Sequence, residues 1–231
     1  MSVQIWTDSD YVYTATSSGL EVYDLATELL GATAYNEGGY SSVWSNDDYI
    51  YIGTFGAGLK KLYKPSIVMN VVTPTNINAY ITDYFKYPDI TSDTINYIHG
   101  NYNKLLVCTT AGVDIIRADS LYITHHTTVS GDNTLKCFAT ETDSFYYTIS
   151  GVDSKYSIHR LNENTSDWYG PDYIYITGSG ILNDVSTITD LYISAGTSIS
   201  GSNYNTLFLA TDIEIYVIDE GSKDYIIFNI A

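Results

Sequence analysis

Carboxylates, imidazoles and indoles are the groups of this 231-residue sequence that could do chemistry, and their spacing gives most of them other work. Asp8-Ser9-Asp10 and Asn46-Asp47-Asp48 look like oxygen-rich calcium ligands. Neither has the span, central glycine and closing glutamate of a calcium loop. Side-chain oxygens that accept from the backbone two residues on build turns from the same residues. His125 and His126 are adjacent, and neighbours in a strand point to opposite faces, so they cannot chelate one metal. His99 and His159 stand singly within apolar runs and read as core or cleft residues. Gly53-Thr54-Phe55-Gly56-Ala57-Gly58 lacks the Lys-Ser/Thr pair of a phosphate loop and reads as a hairpin turn. Glycoside hydrolysis needs two converging carboxylates. The strands that could bring such groups together offer Asp190, with Gln4, Asn96 and Lys136 in the others. The sequence therefore predicts no catalytic residues, no metal site and no cofactor, in a protein that is not an enzyme.

Binding is the better prospect, because tyrosine occurs 24 times. Tyr80, Tyr84, Phe85 and Tyr87 fall in the stretch Thr73 to Thr94, which reads as a long inserted loop. Trp168 and Tyr169 fall in the polar run Ser166-Asp167-Trp168-Tyr169-Gly170-Pro171. Rings carried on loops bury large areas for little rotamer entropy, so these six are the candidate interaction residues. Trp6 and Trp44 occupy matching places in a repeat and read as core instead.

That repeat is what must position everything else. The segment from Ile5 to Thr16 (Ile-Trp-Thr-Asp-Ser-Asp-Tyr-Val-Tyr-Thr-Ala-Thr) returns 38 residues later as Val43 to Thr54 (Val-Trp-Ser-Asn-Asp-Asp-Tyr-Ile-Tyr-Ile-Gly-Thr). Each copy is a strand, a short turn and a second strand. Three looser copies follow at Leu105 to Asp119, Phe145 to Asn162 and Leu207 to Asp219. Turn residues between apolar runs are the hairpin signal. The anchors Thr16, Thr54, Thr110, Ser150 and Thr211 are about 49 residues apart on average, the period of a four-stranded propeller blade. Each hairpin is preceded by an inner strand: Val3 to Trp6, Ser42 to Trp44, Ile95 to His99, Leu135 to Ala139 and Ile188 to Ile193. Each is followed by an outer one: Glu28 to Ala32, Ile67 to Val72, Tyr122 to His126, Tyr173 to Thr177 and Tyr225 to Ile230.

The expected fold is all-β, a five-bladed β-propeller with four antiparallel strands per blade, in one domain over residues 1–231. The blades span about 1–36, 37–73, 95–128, 132–178 and 186–231, and 74–94 is the inserted loop. Strands apolar on both faces suit sheets stacked about an axis, and the Ala or Gly column at Ala15, Gly53 and Ala210 relieves crowding where they converge. A β-sandwich is the structural alternative, but it leaves the repeat unexplained.

Tyr-Ile-Tyr-Ile-Gly-Thr-Phe-Gly-Ala-Gly-Leu (49–59) and Tyr-Val-Tyr-Thr-Ala-Thr-Ser-Ser-Gly-Leu-Glu-Val-Tyr-Asp-Leu (11–25) resemble the blades of two-component-regulator propellers and the wider WD-repeat-like, YVTN-like superfamily. The resemblance implies a blade and no particular activity, since such folds host many functions. The Gly-His and Trp-Asp pairs of a WD repeat are absent.

Ten Lys plus Arg stand against 27 Asp plus Glu, a formal charge of -17. That field repels nucleic acid and anionic membrane surfaces. No apolar run is long enough to span a bilayer, and no basic leader with an apolar stretch is visible. Asn164-Thr165-Ser166 fits a glycosylation sequon, read as coincidence without a leader. Cys108 and Cys137, both within predicted strands, read as buried free thiols. The function expected is a non-enzymatic interaction or structural module whose partners are other proteins of a larger assembly, in a virion (tail or capsid) of a tailed phage. The bias toward Ile, Tyr, Asn and Lys over Arg suits an AT-rich genome of that kind. The alternatives are a sugar-binding lectin or adhesin and a bacterial sensor or surface propeller, with a cytoplasmic or extracellular location.

Overall fold

The structure, a computed structural model, describes residues 4–101, 104–117, 123–127, 133–139, 145–152, 155–162, 167–168, 174–175, 188–194, 206–211, 214–219 and 225–229. The chain is all-β. Among the described residues the helical segments are two single 3-10 turns, Lys64–Ser66 and Asn78–Tyr80. Met1–Gly131 and Asp132–Ala231 form two compact units.

The described residues of the first unit form three sheets. β1 (Gln4–Thr7), β2 (Tyr11–Ala15), β3 (Leu20–Asp24) and β4 (Leu29–Ala34) form an antiparallel meander. β5 (Tyr40–Ser45), β6 (Tyr49–Thr54) and β7 (Leu59–Tyr63) repeat it. Two further strands follow: β8 (Thr75–Asn76) lies parallel to β4 as a fifth strand of the first sheet, and β9 (Ile81–Phe85) closes the second against β7. The third sheet is β10 (Ile95–Asn101), β11 (Lys104–Thr109), β12 (Gly112–Arg117) and β13 (Ile123–Thr127).

The described residues of the second unit form two sheets. One comprises β14 (Asn133–Ala139), β15 (Phe145–Val152) and β16 (Lys155–Asn162), whose outer edge pairs with two short strands, β17 (Asp167–Trp168) and β18 (Ile174–Tyr175). The other is the meander β19 (Ile188–Ser194), β20 (Thr206–Thr211), β21 (Glu214–Asp219) and β22 (Tyr225–Asn229).

The hairpins form because their turns satisfy their own backbones. Thr16 Oγ1 donates to the Gly19 carbonyl at 3.0 Å, Thr54 Oγ1 to that of Gly58 at 2.8 Å, Thr109 Oγ1 to that of Gly112 at 3.0 Å and Thr211 Oγ1 to that of Glu214 at 3.0 Å. Thr109 is thus the third anchor, not Thr110; two adjacent threonines are indistinguishable until the register is known. The small-residue column is sterically required at Gly53, where a Cβ would lie 2.3 Å from Ser42 Oγ and 2.7 Å from Ile95 Cγ2.

Among the described residues of the first unit, two hydrophobic clusters pack the sheets together. Tyr13, Leu20, Val22, Val43, Ile50, Ile52, Leu62 and Ile77 pack the first sheet on the second. Trp44, Tyr51, Leu59, Ile98, Leu105 and Val107 pack the second on the third. Burying such side chains contributes about 1.5–3 kcal/mol each, so stacking of sheets dominates the stability of this unit.

Two expectations are corrected here. The outer strand of the second sheet is β9 and not Ile67 to Val72, so residues 74–94 are not a free loop. Cys108 and Cys137 are both disulfide-bonded and not free thiols. Burial does not discriminate between the two states, because a thiol and a half-cystine are both apolar and both favour the interior.

Candidate interaction surface

The end of β1 carries a polar centre built on one carboxylate. Asp8 Oδ1 accepts from the backbone N–H groups of Asp10 and Tyr11, each at 2.9 Å, which makes the first turn. Its Oδ2 accepts from the Tyr13 hydroxyl at 2.7 Å, from Ser45 Oγ at 2.9 Å and from Lys64 Nζ at 2.6 Å. Burial pushes the carboxyl up, but hydrogen bonds from Lys64, Asp10, Tyr13 and Tyr11 outweigh it and hold the pKa at about 2. Asn46 repeats the turn in the second sheet, accepting from Asp48 N at 3.1 Å and Tyr49 N at 2.8 Å. Both acidic clusters are therefore built as turns. A carboxylate saturated in this way is a structural anchor, since a general base needs a free lone pair and a pKa nearer the working pH. Gln4 acts similarly, its Nε2 donating to the Ile98 carbonyl and its Oε1 accepting from Val43 N, each at 3.2 Å.

Trp6, Trp44 and His99 hold one register on β1, β5 and β10, opposite Tyr13, Tyr51 and Leu106. Trp6 lies 6.1 Å from Trp44 and meets His99 edge-on at 5.7 Å between ring centres. His99 keeps some accessible surface, yet burial of its imidazole pushes the pKa down to about 4. From Trp44 the rings continue through Tyr51 (5.9 Å) to Tyr84 on β9 (5.6 Å). Lys61 Nζ is clamped between Tyr49 and Tyr84, 4.4 and 4.3 Å from their ring centres, and burial pushes its pKa down. A desolvated cation between ring faces is worth up to about 2 kcal/mol, so this pair of rings is occupied from within.

The segment after β7 positions the predicted contact residues. It runs back along β4 as a strap: Asn70 N donates to the Gly31 carbonyl at 3.0 Å, Ile77 N to that of Thr33 at 2.9 Å, and Tyr35 N donates to Asn78 Oδ1 at 2.8 Å. Ile77, Phe85 and Ile90 are buried. Lys60 and Asp83 pair at 2.7 Å across β7 and β9. Beyond β9, Thr91 donates through its N–H and hydroxyl to the buried Asp114 carboxylate, both at 2.9 Å. Of the four aromatics expected here, Phe85 is core and Tyr84 is half-buried against Tyr51 and Lys61. Tyr80 (47% exposed) and Tyr87 (69% exposed) remain on the surface, at opposite ends of β9. Trp168 lies in the strand β17, paired with Leu161, and not in a loop; Tyr169 lies outside the described residues. Among the described residues no group of His, Cys, Asp and Glu is placed to hold a metal ion, and no helix is long and apolar enough to cross a membrane.

Sequence reasoning missed Lys64, Ser45 and Lys61, and marked Gln4 only as an inner-strand residue without its bonds to Ile98 and Val43. Each acts on a group far along the chain, and the only local hint was Asp8, already marked as a turn residue.

No family model matches the chain, and no curated protein matches it. Solved structures do. A computationally designed protein, Ika8, superposes with a TM-score of 0.61 at 11% identity, over 97% of this chain and 60% of that one. The extracellular domain of a hybrid two-component system from B. thetaiotaomicron superposes with a TM-score of 0.66 at 15% identity, over 98% of this chain and 29% of that one. The chain thus spans about 60% and 29% of the lengths of these neighbours. The second has a propeller-like fold.

Proposed function

We propose that the five sheets are the blades of one five-bladed propeller and that it works as a non-enzymatic docking module within a larger protein assembly, the tail or capsid of a tailed phage. The observation that carries the docking reading is the state of Tyr80 and Tyr87. The strand between them is pinned by backbone bonds and buried anchors, and both rings stay outward at its two ends, Tyr80 in the turn before β9 and Tyr87 just beyond it. Pre-ordered aromatic rings bind at low entropic cost. The charge of -17 favours a partner with a basic face and disfavours nucleic acid. The scarcity of arginine beside Ile, Tyr, Asn and Lys supports a phage source. A sensor or surface propeller is the second reading, supported by the likeness to the B. thetaiotaomicron domain.

Replacing Tyr80 and Tyr87 together by alanine tests the docking surface. The variant is expected to unfold at the same temperature as the parent and to be missing from density-purified particles. Incorporation at the parental level overturns the proposal. The ring is tested by small-angle scattering. A closed 231-residue propeller has a radius of gyration of about 17 Å, and a clearly larger value, with two separated maxima in the distance distribution, overturns closure.

A further inference from the structure

A cleft of about 200 Å³ opens on the first sheet where three chain segments meet: the turn after β2, the end of β4 and the strap strand β8. It is pre-formed. Thr16 Oγ1 locks the turn by donating to the Gly19 carbonyl and accepting from Ser18 N and Gly19 N, both at 3.1 Å. Gly19 closes the floor, because a Cβ there would sit 2.2 Å from the Ala34 carbonyl oxygen. Parallel pairing sets Asn76 of the strap beside Thr33 of β4.

The lining selects a ligand class. Ser18 and Thr33 supply hydroxyls, Asn76 an amide and Glu21 a carboxylate with one oxygen engaged by Tyr23 at 2.8 Å. Among the described residues the Thr33 hydroxyl, the Asn76 amide N–H groups and the Tyr35 hydroxyl have no hydrogen-bond partner; Asn76 is engaged through its Oδ1 and Tyr35 through its backbone N–H. Tyr35, 62% exposed, stands at the rim. Among the described residues no lysine, arginine or histidine lines the cleft, so phosphates and carboxylates find no counter-charge there. The apolar lining residues are Leu20 and Ala34, too little for a lipid chain or an aromatic drug-like molecule. The volume lies below the roughly 300–1,000 Å³ of pockets for drug-sized ligands. What matches is a small neutral ring with hydroxyls in its plane and a C–H face to lie on tyrosine.

We propose that this cleft binds one neutral pyranose unit of a glycan. Thr33, Asn76 and Glu21 hydrogen-bond its hydroxyls and Tyr35 covers one face. The site is independent of Tyr80 and Tyr87, so it stands whether or not the docking surface does. Saturation-transfer NMR with the methyl glycosides of glucose, galactose, mannose and N-acetylglucosamine, at millimolar concentration, tests it. At least one glycoside is expected to receive saturation, and competition titration should give a dissociation constant in the millimolar range. Thr33→Val and Tyr35→Ala, at a half-buried and an exposed position, are each expected to weaken binding roughly tenfold, the equivalent of one lost partner, with an unchanged unfolding temperature. The proposal is overturned if none of the four glycosides receives saturation, if both well-folded variants bind like the parent, or if inorganic phosphate competes with the bound glycoside.

Discussion

The first two sheets carry the same motif and treat its tryptophan differently. Trp6 is half-buried and its indole N–H donates to Ser45 Oγ at 3.0 Å. Trp44, one repeat later, is 3% exposed, and its indole N–H has no acceptor among the described residues. The difference lies in the next sheet along. Trp6 looks onto a strand with a serine after its tryptophan; Trp44 looks onto β10, where the matching residue is Gly100. A Cβ at Gly100 would lie 2.6 Å from the Trp44 ring, so the glycine lets the ring sit where a hydroxyl would have stood. Trp44 thus gains buried area and loses a partner. An unsatisfied buried donor costs about 1–3 kcal/mol, while a buried large aromatic side chain is worth more, so the exchange is favourable.

The largest effect expected from this contrast is therefore on Trp44. Trp44→Ala should lower stability by about 3–5 kcal/mol, as truncations of fully buried aromatics do, while Trp6→Ala should lower it by about 1–3 kcal/mol. Chemical denaturation of both variants measures it. Equal losses would mean that the shared motif, and not its neighbour, sets the contribution of each ring.

This contrast also marks how far the sequence could be read. The strand–turn–strand units are local: Thr16 and Thr54 satisfy turns three and four residues away, so residue order suffices to find them. The two tryptophans were legible as equivalents for the same reason. Their unequal burial was not, because it depends on Ser45 and Gly100 arriving from the following sheet. The outer strand of the second sheet misled for a related cause. Ile67-Val68-Met69-Asn70-Val71-Val72 is the more apolar run, but β9 wins because Lys60 and Asp83 pair across it and Phe85 reaches the core. Apolar content signals burial without saying which edge a segment joins. For the candidate contacts, exposure of Tyr80 and Tyr87 and loss of Tyr84 and Phe85 to the interior follow from that same strand.

A mid-sized effect separates the third member of the register from the two indoles. His99 is held below its ordinary 6.5, at about 4, by burial. An imidazole kept neutral in the folded state contributes full stability above about pH 6.5. Below that the unfolded chain takes up the proton first, and stability falls until the folded pKa is reached. Because His99 is partly accessible, the loss between pH 6.5 and 4 should be about 1–3 kcal/mol after allowance for solvent screening. Asp8, with a pKa of about 2, adds its own loss only below its ordinary 3.8, so the two windows are distinct. His99→Phe keeps a ring against Trp6 and should flatten the curve between pH 6.5 and 4. Urea midpoints measured across that range decide it. An unchanged slope would assign the acid limb to other groups.

The smallest effect sharpens the comparison most, because it turns Trp6 into a likeness of Trp44. Ser45 Oγ accepts from the Trp6 indole and donates to Asp8 Oδ2. Ser45→Ala removes both bonds and leaves the Trp6 N–H without its protein partner. Asp8 keeps Tyr13, Lys64 and two backbone donors, so its carboxylate stays satisfied. Trp6 is half-buried, so water can replace part of what is lost. The cost should then lie near about 1 kcal/mol, at the low end for a deleted hydrogen-bonding group. Trp6→Phe isolates the indole bond, since phenylalanine keeps a ring and has no N–H. If the bond matters, Ser45→Ala costs less in the Trp6→Phe background than in the parent, a coupling of roughly 0.5 kcal/mol or more for residues in contact. Strict additivity would show that the indole bond contributes nothing. The two tryptophans would then differ only in the area they bury.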